Sequence, residues 1–152
     1  MLDNNNLKDL LDKAGSTPYT KDIRGANPLA LAYVGDTIHD LFIRTYLISN
    51  TDCSVHMLHT KAIKFVRCRE QAEMALRLMP ELTEKESAVF RRGRNAKSGT
   101  VPKNADVSDY HNATGFEAVL GYLYLNGEND RLIELLNKCL SIYLQNTEHT
   151  EE

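Results

Sequence analysis

The sequence predicts an all-α protein folded as a single compact helical domain, and three observations carry that expectation. Apolar residues recur at helical spacing along most of the chain, helix caps and stops punctuate it, and no alternating apolar run bounded by turns marks a strand. A length of 152 residues with 42% apolar content suits one core and is short for two.

The elements follow in order. Leu7, Leu10, Leu11 and Ala14 form a short amphipathic helix that stops at Gly15, and Ser16-Thr17-Pro18 begins a mobile polar connection. Asn27-Pro28 reads as an N-cap followed by proline at the first helical position, opening a long helix that runs to about Asn50. One helix is expected from Val55 to about Met79, ended by Pro80. Thr83-Glu84-Lys85-Glu86 matches a capping box and starts a shorter helix that runs into RRGRNAKSG, after which Gly99, Thr100, Val101 and Pro102 require a loop. A second capping box, Thr114-Gly115-Phe116-Glu117, is expected to open the apolar helix AVLGYLYL, closed by Gly127. A last amphipathic helix spans about Asp130 to Leu144. The domain plan is an N-terminal helix and connection over 1–26, the functional domain over 27–146, and a disordered tail over 147–152.

Composition excludes several classes. The formal net charge is -3, yet between Lys61 and Lys103 there are 11 basic residues against 5 acidic ones, so the middle of the chain is basic and its flanks acidic. Cys53, Cys68 and Cys139 are odd in number and lack CxxC pairing, which argues against a disulfide framework or structural zinc. No run approaches the ~18 apolar residues of a membrane span, and no targeting signal opens the chain. A soluble, cytoplasmic protein without a membrane partner is expected.

Two segments carry an acid and a glycine inside an apolar helix. Leu29 to Phe42, LALAYVGDTIHDLF, is apolar nearly all round, with Asp36 at its middle and Gly35 beside it. A carboxylate in such surroundings is costly to ionise unless paired, hydrogen-bonded or metal-bound. Gly35 costs about 1 kcal/mol against Ala in a helix interior, which close approach of another backbone or of a ligand would offset. Glu117 and Gly121, four residues apart, repeat the pattern. If the glycines let the two helices cross closely, the acids converge on an oxygen-lined site suited to a hard divalent cation. The alternatives are structural: Glu117 as the third residue of a capping box, and Asp36 in a salt bridge to Arg44. Asp40 reads as a solvated acid or one that supports a metal ligand, rather than a ligand itself.

AYVGDTIHDLFIR resembles the ribonuclease III signature, and GFEAVLGYLYL resembles that family's second catalytic helix. RGRNAKSGTVPKNADVSDY, with LHTKAIKFVRCREQAE before it, is similar to the Mini-III relatives that carry the catalytic domain alone, so that the resemblance covers roughly Asn27 to Leu136. It implies a homodimer hydrolysing both strands of double-stranded RNA, maturation of 23S ribosomal RNA precursors, Mg²⁺ as cofactor with Mn²⁺ able to substitute, and Asp36 and Glu117 as catalytic and metal-holding residues. Where full-length ribonuclease III carries two further acids, one turn before each of these, this chain has Ala32 and Thr114. No double-stranded-RNA-binding domain follows the last helix, so affinity is expected from the catalytic domain itself or from a helper such as a ribosomal protein. The implied chemistry is attack of a metal-activated water on a phosphodiester.

A-form RNA offers phosphates and 2′-hydroxyls rather than base edges, so backbone contacts should dominate. Arg91, Arg94, Asn95, Lys97, Ser98, Lys103 and Asn104, with Arg92 among them, crowd a Gly-Pro loop that could approach a groove. Lys61, Lys64 and Arg67 are expected on one helical flank, able to track phosphates. Tyr33, Tyr46, Tyr122, Tyr124 and Tyr143 read as core or dimer interface. Two other readings stay open: a metal-independent ribonuclease using a pair such as His59 and His111 as acid and base, and a non-catalytic RNA-binding or ribosome-assembly module.

Overall fold

The computed structural model describes residues 9, 11, 21–97 and 100–148, and among these it contains six α-helices and no strand. The short helix expected before Gly15 lies outside the described residues, apart from Asp9 and Leu11. A 3-10 turn, Ile23–Gly25, leads into α1 (Pro28–Asn50). Asn27 caps α1 by accepting the Leu29 N–H at 2.9 Å, and Pro28 supplies a fixed φ where no donor is needed.

The single helix expected from Val55 to Met79 is in fact two, α2 (Val55–Val66) and α3 (Cys68–Leu78). Arg67 between them is extended, at φ -62° and ψ 142°, while its carbonyl already accepts the Gln71 N–H at 3.0 Å. No glycine or proline announces the break. Its cause is tertiary: α2 packs on α1, whereas α3 packs on the central helix α5 (Val107–Leu125), and the chain turns at Arg67 to serve both. A 3-10 turn, Met79–Glu81, holds Pro80 and ends α3.

α4 (Glu84–Asn95) has the capping box read from sequence, with the Thr83 hydroxyl accepting the Glu86 N–H at 3.2 Å and the Glu86 carboxylate accepting the Thr83 N–H at 3.4 Å. The same buried Glu86 accepts from Arg131 of α6 (Asn129–Glu148) at 2.7 Å, and Arg131 also donates to the Glu81 carbonyl at 2.8 Å. α6 extends four residues past the expected end at Leu144.

The second expected capping box is not one. α5 begins at Val107, capped by Asp106, whose carboxylate accepts the Asp109 N–H at 3.0 Å. Thr114 is therefore interior, and its hydroxyl donates to the Tyr110 carbonyl at 2.9 Å. Polar residues fill the first two turns of α5, which hid its start. Gly127, at φ +72°, ends it as expected, with Gly127 N–H donating to the Tyr124 carbonyl and Glu128 N–H to that of Leu123.

α5 is the centre of the molecule. Ala113, Phe116, Ala118, Val119, Leu120 and Leu123 are buried beneath α1, α3, α4 and α6. Close approach of α4 depends on Gly93 and Gly115: a Cβ on Gly115 would press on the Phe90 carbonyl, and one on Gly93 on Ala118. α1 is less enclosed than its composition suggests. Tyr33 is 82% exposed, Ile48 68% and Leu41 50%, so one flank of this apolar helix stays open in the isolated chain. Among the described residues no helix is long and apolar enough to cross a membrane.

Candidate active site

The two glycines read from sequence mark the place where α1 crosses α5. A Cβ added to Gly35 would overlap the Glu117 carbonyl, and one added to Gly121 would overlap the Leu31 carbonyl. Backbone thus lies on backbone at both points. The crossing sets Asp36, next to Gly35, close enough to Glu117 for their charges to interact. Asp36 is on the solvent side, and Glu117 lies deeper between the helices.

Their environments follow from that geometry. Burial, then the negative charge of Asp36, push the Glu117 carboxyl up to about 8, against a smaller opposing effect of a hydrogen bond from the Gln71 side chain. Burial raises Asp36 as well, assisted by Asp40. Arg44, the structural partner considered for Asp36, pairs instead with Asp40 at 3.0 Å. Among the described residues no Lys or Arg forms an ion pair with Asp36 or Glu117.

Beneath Glu117 lies a buried polar series that sequence reading missed. Gln71 Nε2 is 3.2 Å from His39 Nδ1, and His39 Nε2 is 3.3 Å from the Tyr143 hydroxyl. His39 is fully enclosed, and burial lowers its imidazole to about 4, so the ring is neutral near pH 7. Phe116 meets the His39 ring edge to face at 5.5 Å, and Phe65 meets Tyr143 at 5.3 Å. Of the tyrosines read as core or dimer interface, Tyr143 is buried and also polar in role, and Tyr33 is exposed.

Carboxylate oxygens are hard donors, and two converging ones without a cationic partner fit Mg²⁺ or Mn²⁺, which keep several waters. Among the described residues no set of three or more His, Cys, Asp and Glu side chains is placed to hold a metal. Ala32, where full-length relatives carry an acid, is buried, and the Thr114 hydroxyl is engaged with Tyr110. The donor set is a pair.

Residues 29–128, which contain both helices of the crossing and everything between them, match the model of the Ribonuclease III domain. The chain belongs to the ribonuclease III family. Within the family it groups with Mini-ribonuclease 3. The protein of that name from Clostridium tetani is 46% identical over 136 residues, covering 88% of this chain and 90% of the relative. That from Brevibacillus brevis is 44% identical over 123 residues, covering 81% and 92%. A crystal structure of a Fusobacterium nucleatum protein superposes at a TM-score of 0.72 with 28% identity, covering 80% of this chain and 98% of that one. The chain is accordingly a ribonuclease III-type endoribonuclease, of a family that generally depends on divalent metal.

The other residues singled out from sequence are distributed around this ribonuclease III core. Phe90 and Gly93 of α4 lie against Gly115 and Thr114, so the end of α4 abuts the turn of α5 just before Glu117. Arg91 and Asn95 are exposed there, and the half-buried Arg94 lays its guanidinium over the Phe90 ring at 5.9 Å. Lys97, Lys103 and Asn104 are exposed in the following connection, and Ser98 lies outside the described residues. Arg92, grouped with them by sequence, points elsewhere, donating to the carbonyls of Arg24 and Ala26 at 3.1 and 2.8 Å and so tying down the approach to α1. Lys61 and Lys64 are on α2, but Arg67 is the break residue and does not continue their helical flank. His59 lines a groove between α1 and α2, while His111 packs on Tyr110.

Proposed function

We propose that the chain is a Mg²⁺-dependent endoribonuclease, with Mn²⁺ able to substitute, that hydrolyses both strands of double-stranded RNA and matures 23S ribosomal RNA precursor ends in the cytoplasm. The observation that carries this reading is the close crossing at Gly35 and Gly121, which sets Asp36 beside a half-buried Glu117 with no Lys or Arg paired to either among the described residues. Like charges held together in a low dielectric repel unless a cation or a proton intervenes.

Asp36 and Glu117 would hold the metal. A divalent ion held there would supply a water of lowered pKa as nucleophile and charge stabilisation at the phosphate. The remaining work falls to the chain itself. The crossing keeps both carboxylates in place and shields Glu117 from bulk water. Arg91, Arg94 and Asn95 supply cations and donors to the RNA backbone beside the turn that leads to Glu117, and Lys97, Lys103 and Asn104, with Ser98, add to them. Lys61, Lys64 and Arg67 would be further contacts to the RNA backbone. Binding strength comes from these groups, aided by a ribosomal protein helper.

A homodimer suits the surface of α1 and α2. Tyr33, Ile48 and Val55 are exposed, and Ile48, Val55, Leu58 and Ala62 line an open groove between the two helices.

The deciding experiment incubates purified protein with long duplex RNA, with and without Mg²⁺, alongside Asp36→Asn and Glu117→Gln. Cleavage that needs Mg²⁺ and vanishes in both variants, with duplex binding retained by Glu117→Gln, is the expected result. Activity surviving excess EDTA would point to His59 and His111 instead, and tight binding without cleavage in either metal would point to an RNA-binding module.

A further inference from the structure

We propose that Gln71 is a positioning residue for the Glu117 carboxylate, and that His39 and Tyr143 exist in this core to aim it. The proposal rests on the reading of Asp36 and Glu117 as the metal-holding pair and adds to it the support that fixes the deeper of the two.

Four side chains from four helices meet here: His39 from α1, Gln71 from α3, Glu117 from α5 and Tyr143 from α6. His39, Gln71 and Tyr143 are each no more than 3% exposed. Burying an amide, an imidazole and a phenol is costly unless their polar atoms find partners. Apolar side chains of similar volume would serve packing alone.

The directions of the hydrogen bonds are fixed by chemistry. A neutral imidazole has one donor and one acceptor, and an amide nitrogen can only donate. Gln71 Nε2 therefore donates to His39 Nδ1, and His39 Nε2–H donates to the Tyr143 oxygen. One amide hydrogen is thus committed to the ring. The other remains for Glu117, on which the Gln71 side chain acts as a hydrogen-bonding group. The ring itself cannot swing, because Phe116 closes on it from the residue beside Glu117 and Tyr143 holds its far nitrogen. His39 is also three residues beyond Asp36 on α1, so the series joins the helices that carry both acids.

This arrangement is the support that metal-holding carboxylates commonly have, where loss of the partner weakens metal binding by about 10- to 100-fold. A structural role alone would move folding stability and leave metal affinity unchanged.

The test uses the full chain and three measurements: Mn²⁺ affinity by titration calorimetry without RNA, kcat and KM on long duplex RNA, and the thermal midpoint. Gln71→Met keeps length and apolar fill but removes both donors. Mn²⁺ affinity about tenfold weaker, with kcat lowered and KM for RNA unchanged, is the expected outcome. Tyr143→Phe, which removes one oxygen two links away, should weaken Mn²⁺ binding a few-fold in the parent and not at all in Gln71→Met. Mn²⁺ affinity and kcat within twofold of the parent in a folded Gln71→Met overturn the proposal. Should that variant not fold, unchanged Mn²⁺ affinity in Tyr143→Phe overturns it. Asp36→Asn and Glu117→Gln separate the two layers: if they bind Mn²⁺ as the parent does, the metal-holding reading falls and the proposal with it. If they lose Mn²⁺ while Gln71→Met retains it, only the positioning role falls.

Discussion

Glu117 occupies a position in which burial and Asp36 both favour its protonated form, so that metal binding and proton release must be linked. Its carboxyl titrates at about 8 in the folded chain against an ordinary 4.5. Between those values the native state holds a proton that the unfolded state has lost, so the metal-free protein should lose stability as pH rises from 4.5 to 8. Metal requires the carboxylate, and Mn²⁺ affinity should therefore rise with pH up to about 8 and then level. At pH 7 close to one proton should leave per ion bound, a quantity that calorimetry in buffers of different ionisation heat reads directly. A pH-independent affinity over that range would contradict the enclosed position of Glu117. Asp36 and Glu117 were legible in the sequence because a carboxylate in an apolar helix is locally incongruous. Gln71, His39 and Tyr143 were not, since a polar residue at a core position shows nothing until its partner is known, and these partners lie 32 and 104 residues apart in the chain.

Helices here are placed by their glycines and started by their caps, and both can be tested one side chain at a time. Gly35→Ala drives a methyl into the Glu117 carbonyl and should cost about 2 to 3 kcal/mol in a denaturant melt, together with activity. Gly25→Ala, with no atom nearby, should stay within about 0.5 kcal/mol of the parent. The start of α5 separates two readings of the same segment. Asp106→Ala should cost about 1 kcal/mol because it removes the cap, whereas Thr114→Ala should cost markedly less because Thr114 is interior. Capping chemistry is local and was read correctly at Asn27 and Thr83. It misled at Thr114 because a Thr-x-x-Glu spacing also occurs by chance inside a helix. The break at Arg67 had no local signal, since it answers to the two different helices on which α2 and α3 pack.

For the molecule as a whole, basic charge is unevenly distributed along the chain. The chain carries a net charge of -3, yet its basic residues gather between Lys61 and Lys103, and those at the end of α4 flank the carboxylate crossing through the contacts of Phe90 and Gly93 with α5. Neutralising Lys97 and Lys103 together should weaken duplex binding and flatten the slope of log affinity against log salt by about 2. An unchanged slope removes both from the RNA footprint. By itself the sequence determined the helical class, most helix boundaries, and the two acids and two glycines set in apolar helices, because each rests on periodicity, capping or an incongruity within a few residues. Only the tertiary structure decided that α1 and α5 cross at those glycines, that Arg44 serves Asp40, that Arg92 ties down the approach to α1, and that His39, Gln71 and Tyr143 underlie Glu117. The physical reason is range: caps and periods are set by neighbours in the chain, whereas the surroundings of a buried charge are set by whichever helices pack around it.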